Sequence, residues 1–234
     1  RAYLILTTPD FAPGKTEETS KAQSMIDLET YISELRKVRG IVVKETGNYS
    51  YLERLLDNAG ALLTPRVNAV VQLQNSGAGI PDMGLYDEKL PGDGKPTRGV
   101  VEVKGTAADL DATARSEQVQ KYLAHYGQVL VTNLYQFRLV TRDERGHPQL
   151  EERFNLAPDD KTFWTAAEHP RALAHQHEAA LTEFLQRVML RKAPLLTPKD
   201  VVAMLASYAR VAKNRLNVPG ANLDALNTVR TQLE

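Results

Sequence analysis

Apolar residues recur along this chain with two periods, one typical of helices and one typical of strands. A spacing of three to four residues predicts amphipathic helices, whereas alternation and short apolar runs predict strands. Helices are predicted over residues 16–39, over a segment that ends at Asn58, and over 110–126. Strands are predicted over 66–74, 79–86, 99–104, 128–133, 134–140 and 149–156. This mixture predicts an α/β fold with a mixed central sheet flanked by helices.

The pattern changes near Pro158, after which only the helical period remains. Helices separated by prolines and glycine are predicted over residues 161–168, 170–191, 198–216 and 222–233. We therefore expect residues 1–156 to form the α/β domain and residues 157–234 to form an all-helical extension, anchored on the core by Phe163 and Trp164. The chain starts at Arg1 and stops within a polar helical pattern, so we expect it to be a fragment of a longer polypeptide.

Charge and composition narrow the classes of function. The 234 residues include 29 basic and 29 acidic side chains, which gives a formal net charge of zero. A free-standing nucleic-acid-binding protein is usually basic, so tight DNA binding by this chain alone is not expected, although a local basic groove stays open. The absence of cysteine excludes disulfides and thiolate metal sites. No apolar run approaches the roughly 20 residues of a membrane span and no signal peptide is recognisable, so we expect a cytoplasmic protein without a membrane partner.

The most informative stretch is the predicted hairpin of residues 79–86 and 99–104, whose spacer is rich in proline, glycine and charged residues. Because side chains alternate along a strand, Glu102 and Lys104 share one face of the second strand. Asp82, on the first strand, is expected to lie across from Glu102. Two carboxylates about 4 Å apart repel by roughly 1 to 4 kcal/mol, and a divalent cation turns that repulsion into attraction. The alternative from the residues alone is a solvated hairpin with a salt bridge.

Other catalytic chemistry has little support in the sequence. Gln118 and Tyr122 are four residues apart and share one face of a predicted helix. Taken alone, this spacing favours an ordinary polar helix surface. The histidines form no convincing ligand constellation, since His175 and His177 are two apart and point to different sides of a helix. No P-loop is present, and no Gly-x-Gly-x-x-Gly motif follows a strand.

Taken in order, the polar motifs resemble those of a known family. Pro81-Asp82 followed by Glu102-Val103-Lys104 resembles the core of the PD-(D/E)xK nuclease superfamily. The pair Gln118 and Tyr122, on the helix after the Glu-x-Lys strand, resembles the Gln-x-x-x-Tyr motif of the RecB-like and lambda-exonuclease-like branch. The resemblance implies a restriction-endonuclease-like fold.

The resemblance extends over about residues 45–140. The run Val129–Val140 is similar to the Leu-Ile-Leu-Thr-Asn-Tyr-x-x-Phe-Arg segment that members of this branch often carry. Glu45 opens a stretch that resembles the start of nuclease domains in fused restriction–modification enzymes, although Lys44 replaces a threonine there. The resemblance implies that Glu45 is an accessory acid at the metal. A helix-dipole carboxylate is the structural alternative for Glu45, and Glu53 is the competing accessory acid.

The family resemblance implies a Mg²⁺-dependent DNA endonuclease, with Mn²⁺ as a substitute metal. The implied metal ligands are Asp82, Glu102, the Val103 carbonyl oxygen and Glu45. The implied catalytic residues are Asp82, Glu102, Lys104, Gln118 and Tyr122. Among them, Lys104 orients or activates the attacking water, while Gln118 and Tyr122 support the site.

The implied setting is the N-terminal cleavage module of a restriction–modification enzyme that acts in phage defence. Its implied partners are double-stranded DNA and downstream methyltransferase and target-recognition domains in the same polypeptide. The competing hypothesis is a catalytically silent DNA-binding or docking module that retains the fold. Intact Asp82, Glu102 and Lys104 argue against that alternative.

Overall fold

A six-stranded sheet forms the centre of the molecule. The computed structural model of the protein describes residues 26–39, 49–71, 73, 75, 77–88, 95–191 and 198–216. The sheet has the order β1-β2-β3-β4-β5-β6, and only the central pair β3 and β4 is parallel. The strands are β1 (Val67–Val71), β2 (Met83–Asp87), β3 (Val100–Val103), β4 (Val129–Thr132), β5 (Gln136–Arg142) and β6 (Pro148–Asn155). The expected α/β fold with a mixed sheet is confirmed, and it is consistent with a restriction-endonuclease-like fold.

Helices cover both faces of this sheet. The larger apolar core lies under α1 (Leu28–Val38), α2 (Tyr49–Ala61), α5 (Asp160–Ala166) and α6 (Pro170–Leu190). The smaller core, on the opposite face, lies under α3 (Leu110–Ala114) and α4 (Glu117–Tyr126). Strand alternation divides the apolar side chains of β3 between the two cores, since Val101 joins the larger core and Val100 the smaller one.

The single helix expected over residues 110–126 is wrong, because the chain forms two helices there. Helix α3 ends at Ala114, and α4 begins three residues later at Glu117. Ser116 caps the second helix, since its hydroxyl oxygen accepts a hydrogen bond from the Val119 N–H at 3.3 Å. Serine at such a position satisfies an N–H that has no partner within the helix. The break therefore precedes the helix that bears Gln118 and Tyr122.

The N-terminal helices are shorter or shifted relative to their predictions. Helix α1 begins at Leu28 with Asp27 as its N-terminal cap. The Asp27 carboxylate accepts a hydrogen bond from the Thr30 N–H at 3.0 Å. Helix α2 ends at Ala61, beyond the predicted end at Asn58. Residues 16–25 and 222–233, for which helices were also predicted, lie outside the described residues.

The first two helices of the predicted extension pack against the sheet. Phe163 is fully buried in the larger core, and its ring stacks on Tyr135 with a centroid distance of 4.7 Å. Burial of one such side chain contributes about 1.5–3 kcal/mol. Helix α7 (Pro198–Leu216) contacts α6 in turn. The division at residue 156 into a catalytic domain and an extension stays a prediction. None of the helices in the described part of the chain is both long and apolar enough to cross a membrane.

Candidate active site

The β2–β3 hairpin brings the predicted acidic residues to one end of the sheet. Strands β2 and β3 are antiparallel, and Met83 pairs with Val101. Continuing this register by one residue puts Asp82 opposite Glu102. Asp82 directly precedes β2, and Lys104 directly follows β3, so both residues lie where the strands end.

Glu102 and Lys104 form an ion pair on the side of the sheet opposite Val101 and Val103. The Lys104 ammonium donates to Glu102 Oε1 at 2.7 Å. The Glu102 side chain is buried, whereas the Lys104 side chain is about one-third exposed, at 35%. A buried carboxylate is costly without a compensating positive charge, and the Lys104 ammonium supplies that charge beside Glu102. The pair therefore combines a buried negative charge with a cation that reaches solvent.

Two hydrogen bonds from different elements orient Asp82. The Tyr49 hydroxyl, at the start of α2, donates to Oδ1 at 2.6 Å, and the Val103 backbone N–H donates to Oδ2 at 2.7 Å. Each carboxylate oxygen has two lone pairs, so both oxygens retain the capacity to bind a cation. The sequence analysis assigned no role to Tyr49. Its position at the start of the helix after Glu45 is the only signal that the sequence offers.

Gln118 and Tyr122 lie beside this end of the hairpin. Gln118 Nε2 donates to the Tyr122 hydroxyl at 3.0 Å, and that hydroxyl donates to the Ile80 carbonyl oxygen at 2.9 Å. Burial raises the pKa of Tyr122, the Gln118 hydrogen bond opposes this rise, and the negative charges of Glu102 and Asp82 reinforce it. Tyr122 therefore stays protonated near neutral pH and ties α4 to the segment that precedes Asp82.

A cleft of about 340 Å³ opens next to Asp82. Glu53 lines it one helical turn after Tyr49, so the competing accessory acid faces the same space as Asp82. Glu45 lies outside the described residues. The other lining residues are Ser50, Val71, Ile80 and Pro81.

The donor set fits a hard divalent cation held by few protein ligands. Within the described ranges, no three His, Cys, Asp or Glu side chains are close enough together to hold a metal ion. Asp82 and Glu102 thus supply two carboxylates, and Glu53 does not complete a group of three with them. Mg²⁺ is typically bound through one or two carboxylates together with water and phosphate oxygens, so two carboxylates at an open strand end suit Mg²⁺.

Comparisons with known proteins add little to this geometry. No family model matches the chain, and no curated protein matches it. A cryoEM structure of a DrdV–DNA complex is similar over 73% of this chain and 14% of that chain, with 16% sequence identity and a TM-score of 0.39. This chain thus spans a small part of the length of that protein. Such a likeness carries no argument, so the interpretation of the site depends on its own residues.

Proposed function

We propose that this protein is the DNA-cleaving module of a restriction–modification enzyme, a Mg²⁺-dependent endonuclease that hydrolyses phosphodiester bonds. The observation that supports this most is the meeting of Asp82 with the Glu102–Lys104 pair at the open end of the hairpin. These are the residue types and the order of the PD-(D/E)xK motif. Sequence recognition is supplied by other domains of the same polypeptide.

In this proposal the two acidic side chains would hold the metal ion. Asp82, Glu102 and the Val103 carbonyl oxygen hold Mg²⁺, and Mn²⁺ substitutes for it. When bound, the ion supplies Lewis acidity toward the phosphate oxygens. Tyr49 and the Val103 N–H orient the Asp82 carboxylate, and Lys104 shields the charge of Glu102 in the absence of the ion.

The remaining residues orient the attacking water, stabilise negative charge and support the site through hydrogen bonds. The Lys104 ammonium orients the attacking water and stabilises the charge that develops on the phosphate. The protonated Tyr122 donates to the Ile80 carbonyl oxygen. This hydrogen bond fixes the backbone of the segment that leads to Asp82. Gln118 donates to Tyr122 and is itself exposed, so it is also available to a DNA phosphate.

The accessory acid is either Glu45 or Glu53. Glu53 lines the cleft beside Asp82, which supports a contact through water because no direct group of three acids forms in the part of the chain that is described. Glu45→Gln and Glu53→Gln distinguish the two candidates. Only the substitution of the true accessory acid should lower the affinity for Mn²⁺.

A plasmid-cleavage assay tests the proposal. Binding that neutralises several phosphates weakens by orders of magnitude between low and physiological salt. Because the chain is neutral overall, we expect it alone to nick DNA poorly or not at all, except at low salt, high protein concentration and with Mn²⁺. Joined to its downstream domains, it should cut efficiently. Asp82→Ala and Glu102→Ala should abolish cleavage in the joined form while leaving the fold intact, because each removes a metal ligand and no apolar core side chain.

The same assay distinguishes the competing hypothesis. If neither form cuts DNA and neither binds Mn²⁺ by calorimetry, a silent DNA-binding or docking module replaces the nuclease. Wild-type cleavage by Asp82→Ala or Glu102→Ala contradicts the site. Tight cleavage of one defined sequence by the chain alone contradicts the claim that recognition lies elsewhere.

A further inference from the structure

The turn after β4 contains a buried amide that reaches the loop after Lys104. Asn133 is fully buried, and its Nδ2 lies 3.3 Å from the Thr106 carbonyl oxygen and 3.3 Å from the Ala108 carbonyl oxygen. Its Oδ1 accepts from the Gln136 N–H at 2.9 Å. One side chain therefore joins the β4–β5 turn to the loop of residues 105–109.

Thr132 and Arg138, on the two strands that the Asn133 turn connects, contact the residues on either side of this loop. The Lys104 N–H donates to the Thr132 carbonyl oxygen at 2.8 Å, which continues the β3–β4 pairing to the lysine itself. At the far end, Arg138 Nε donates to Asp111 Oδ1 at 2.7 Å. This hydrogen bond is the main reason that the pKa of Asp111 lies below its usual range. Residues 104–111 are thus bound at their start, middle and end by one short segment.

The turn that presents Asn133 is itself held in an unusual conformation. Leu134 has a φ of 79°, in the left-handed region that non-glycine residues rarely adopt. The Thr132 hydroxyl accepts from the Leu134 N–H at 3.0 Å and donates to the Gln136 carbonyl oxygen at 2.7 Å. From the other side, the Tyr31 hydroxyl donates to the Leu134 carbonyl oxygen at 2.7 Å. A backbone strain of about 1–3 kcal/mol persists only where surrounding contacts determine the conformation.

The loop needs such an anchor because a glycine comes directly after Lys104. Gly105 is exposed, and a Cβ atom placed on it would have no neighbour within 4 Å. Glycine confers backbone freedom at that point, directly beside the residue whose ammonium contacts Glu102. Since the β3–β4 pairing holds only the N–H side of Lys104, movement of residues 105–109 would act on Lys104 through its bond to Gly105.

We propose that Asn133 is a positioning residue for Lys104, and that it acts by immobilising the loop of residues 105–109. This inference depends on the proposed nuclease function. The hydrogen bonds of the Asn133 side chain go to neither Asp82 nor Glu102. Its loss should therefore lower the turnover rate and leave metal affinity unchanged. A misplacement of about 1 Å in a catalytic group lowers a rate by roughly 100-fold.

Gln128 provides a matched control, because β4 has a buried amide at each end. Gln128 directly precedes β4, and its Nε2 donates to the carbonyl oxygens of Arg98 at 2.6 Å and Val188 at 2.9 Å. Asn133→Ala and Gln128→Ala each remove a buried amide that donates to backbone carbonyls. Only the first removal occurs at the end of the strand where Lys104 lies.

The experiment compares the two variants in the polypeptide that joins this chain to its downstream domains. We expect both to lower the urea midpoint, and only Asn133→Ala to lower kcat, by about 10- to 100-fold, with Mn²⁺ affinity within about twofold of wild type. Hydrogen exchange of residues 105–109 should rise in Asn133→Ala and not in Gln128→Ala. Asn133→Asp retains the acceptor for Gln136 and loses the donors to the loop, so it should share the kinetic defect if Asn133→Ala fails to fold.

Three outcomes overturn the inference in distinguishable ways. Unchanged kcat per folded molecule in an active enzyme makes Asn133 merely structural. A loss of Mn²⁺ affinity equal to the loss of kcat assigns its effect to the metal ligands instead of Lys104. A wild type that neither cuts DNA nor binds Mn²⁺ overturns the proposed function together with this inference.

Discussion

The β2–β3 hairpin carries one ion pair at each end, and the two pairs differ in their access to solvent. Arg98 contacts Asp87 at the end near the connecting turn, and both side chains are only 2% exposed. Lys104 contacts Glu102 at the other end, where the carboxylate is 3% exposed and the ammonium 35%. The closed pair joins the two sides of the hairpin, whereas the open pair lies along β3, and the two also differ in exposure.

This difference separates a structural pair from a functional one. When a buried pair is closed to solvent, the partners neutralise only each other, and removal of one leaves an uncompensated buried charge. At the open pair, the lysine reaches solvent, and Asp82 lies beside Glu102 as a second carboxylate. A cation that arrives from solvent therefore has two carboxylates to bind at one end of the hairpin, and we expect metal binding and catalysis there alone.

Lys104→Ala should give the largest effect, because it breaks the open pair at the catalytic lysine. We expect turnover to fall by about 10²–10³-fold, the size expected when a group that stabilises transition-state charge is removed. Mn²⁺ binding should persist or tighten, since a nearby positive charge is lost. Single-turnover cleavage and calorimetry with Mn²⁺ or Ca²⁺ measure the two quantities. Loss of metal binding together with unfolding would instead make Lys104 a structural partner of Glu102.

Arg98→Ala is the corresponding change at the closed pair, and it should act on stability. It removes the guanidinium that contacts the buried Asp87 carboxylate, and breaking a buried pair costs about 3–5 kcal/mol, while cleavage per folded molecule stays near wild type. Mn²⁺ should raise the urea midpoint of Arg98→Ala by the same amount as that of the wild type, and that of Lys104→Ala by at least as much, because ligand binding to the native state stabilises it. As a control for an exposed pair, Glu168→Ala removes the partner of Arg36, where both side chains are 48% exposed, and should cost less than about 1 kcal/mol. Loss of cleavage per folded molecule, or of the Mn²⁺-induced rise in midpoint, in Arg98→Ala would contradict the distinction between the two ends.

The sequence predicted the open end of the hairpin better than the elements around it. Alternation in β3 correctly predicted that Glu102 and Lys104 share a face opposite Val101 and Val103, because alternation is a local property of a strand. The break at Ser116 was missed, since the apolar period continues across a capping residue. The exposure of the Lys104 side chain and the burial of the Arg98 side chain could not be predicted either. Both depend on which distant elements cover each end of the β2–β3 hairpin.

Long-range contacts at the site had no sequence signal of their own. The Tyr49–Asp82 hydrogen bond spans 33 residues and the Arg138–Asp111 bond spans 27. The apolar period of a helix or strand identifies the face on which a side chain lies. It does not identify the partner of that side chain on another element. The resemblance included the Thr-Asn and Phe-Arg positions of the β4–β5 segment, but their contacts to the loop after Lys104 required the structure.

Tyr49→Phe should give the smallest effect, and it tests how the open end holds its second carboxylate. The change removes only the hydroxyl that donates to Asp82 Oδ1, while the Val103 N–H still donates to Oδ2. Loss of a group that orients a metal ligand typically costs about 10-fold in metal affinity or activity. We therefore expect Mn²⁺ affinity, measured by calorimetry, to fall by about that factor with the urea midpoint nearly unchanged. Tyr51→Phe, on the same helix and packed against the larger core, should leave affinity at the wild-type value. Equal affinities for the two variants would show that the Val103 N–H orients Asp82 without help from α2, and the site would then consist of the hairpin alone.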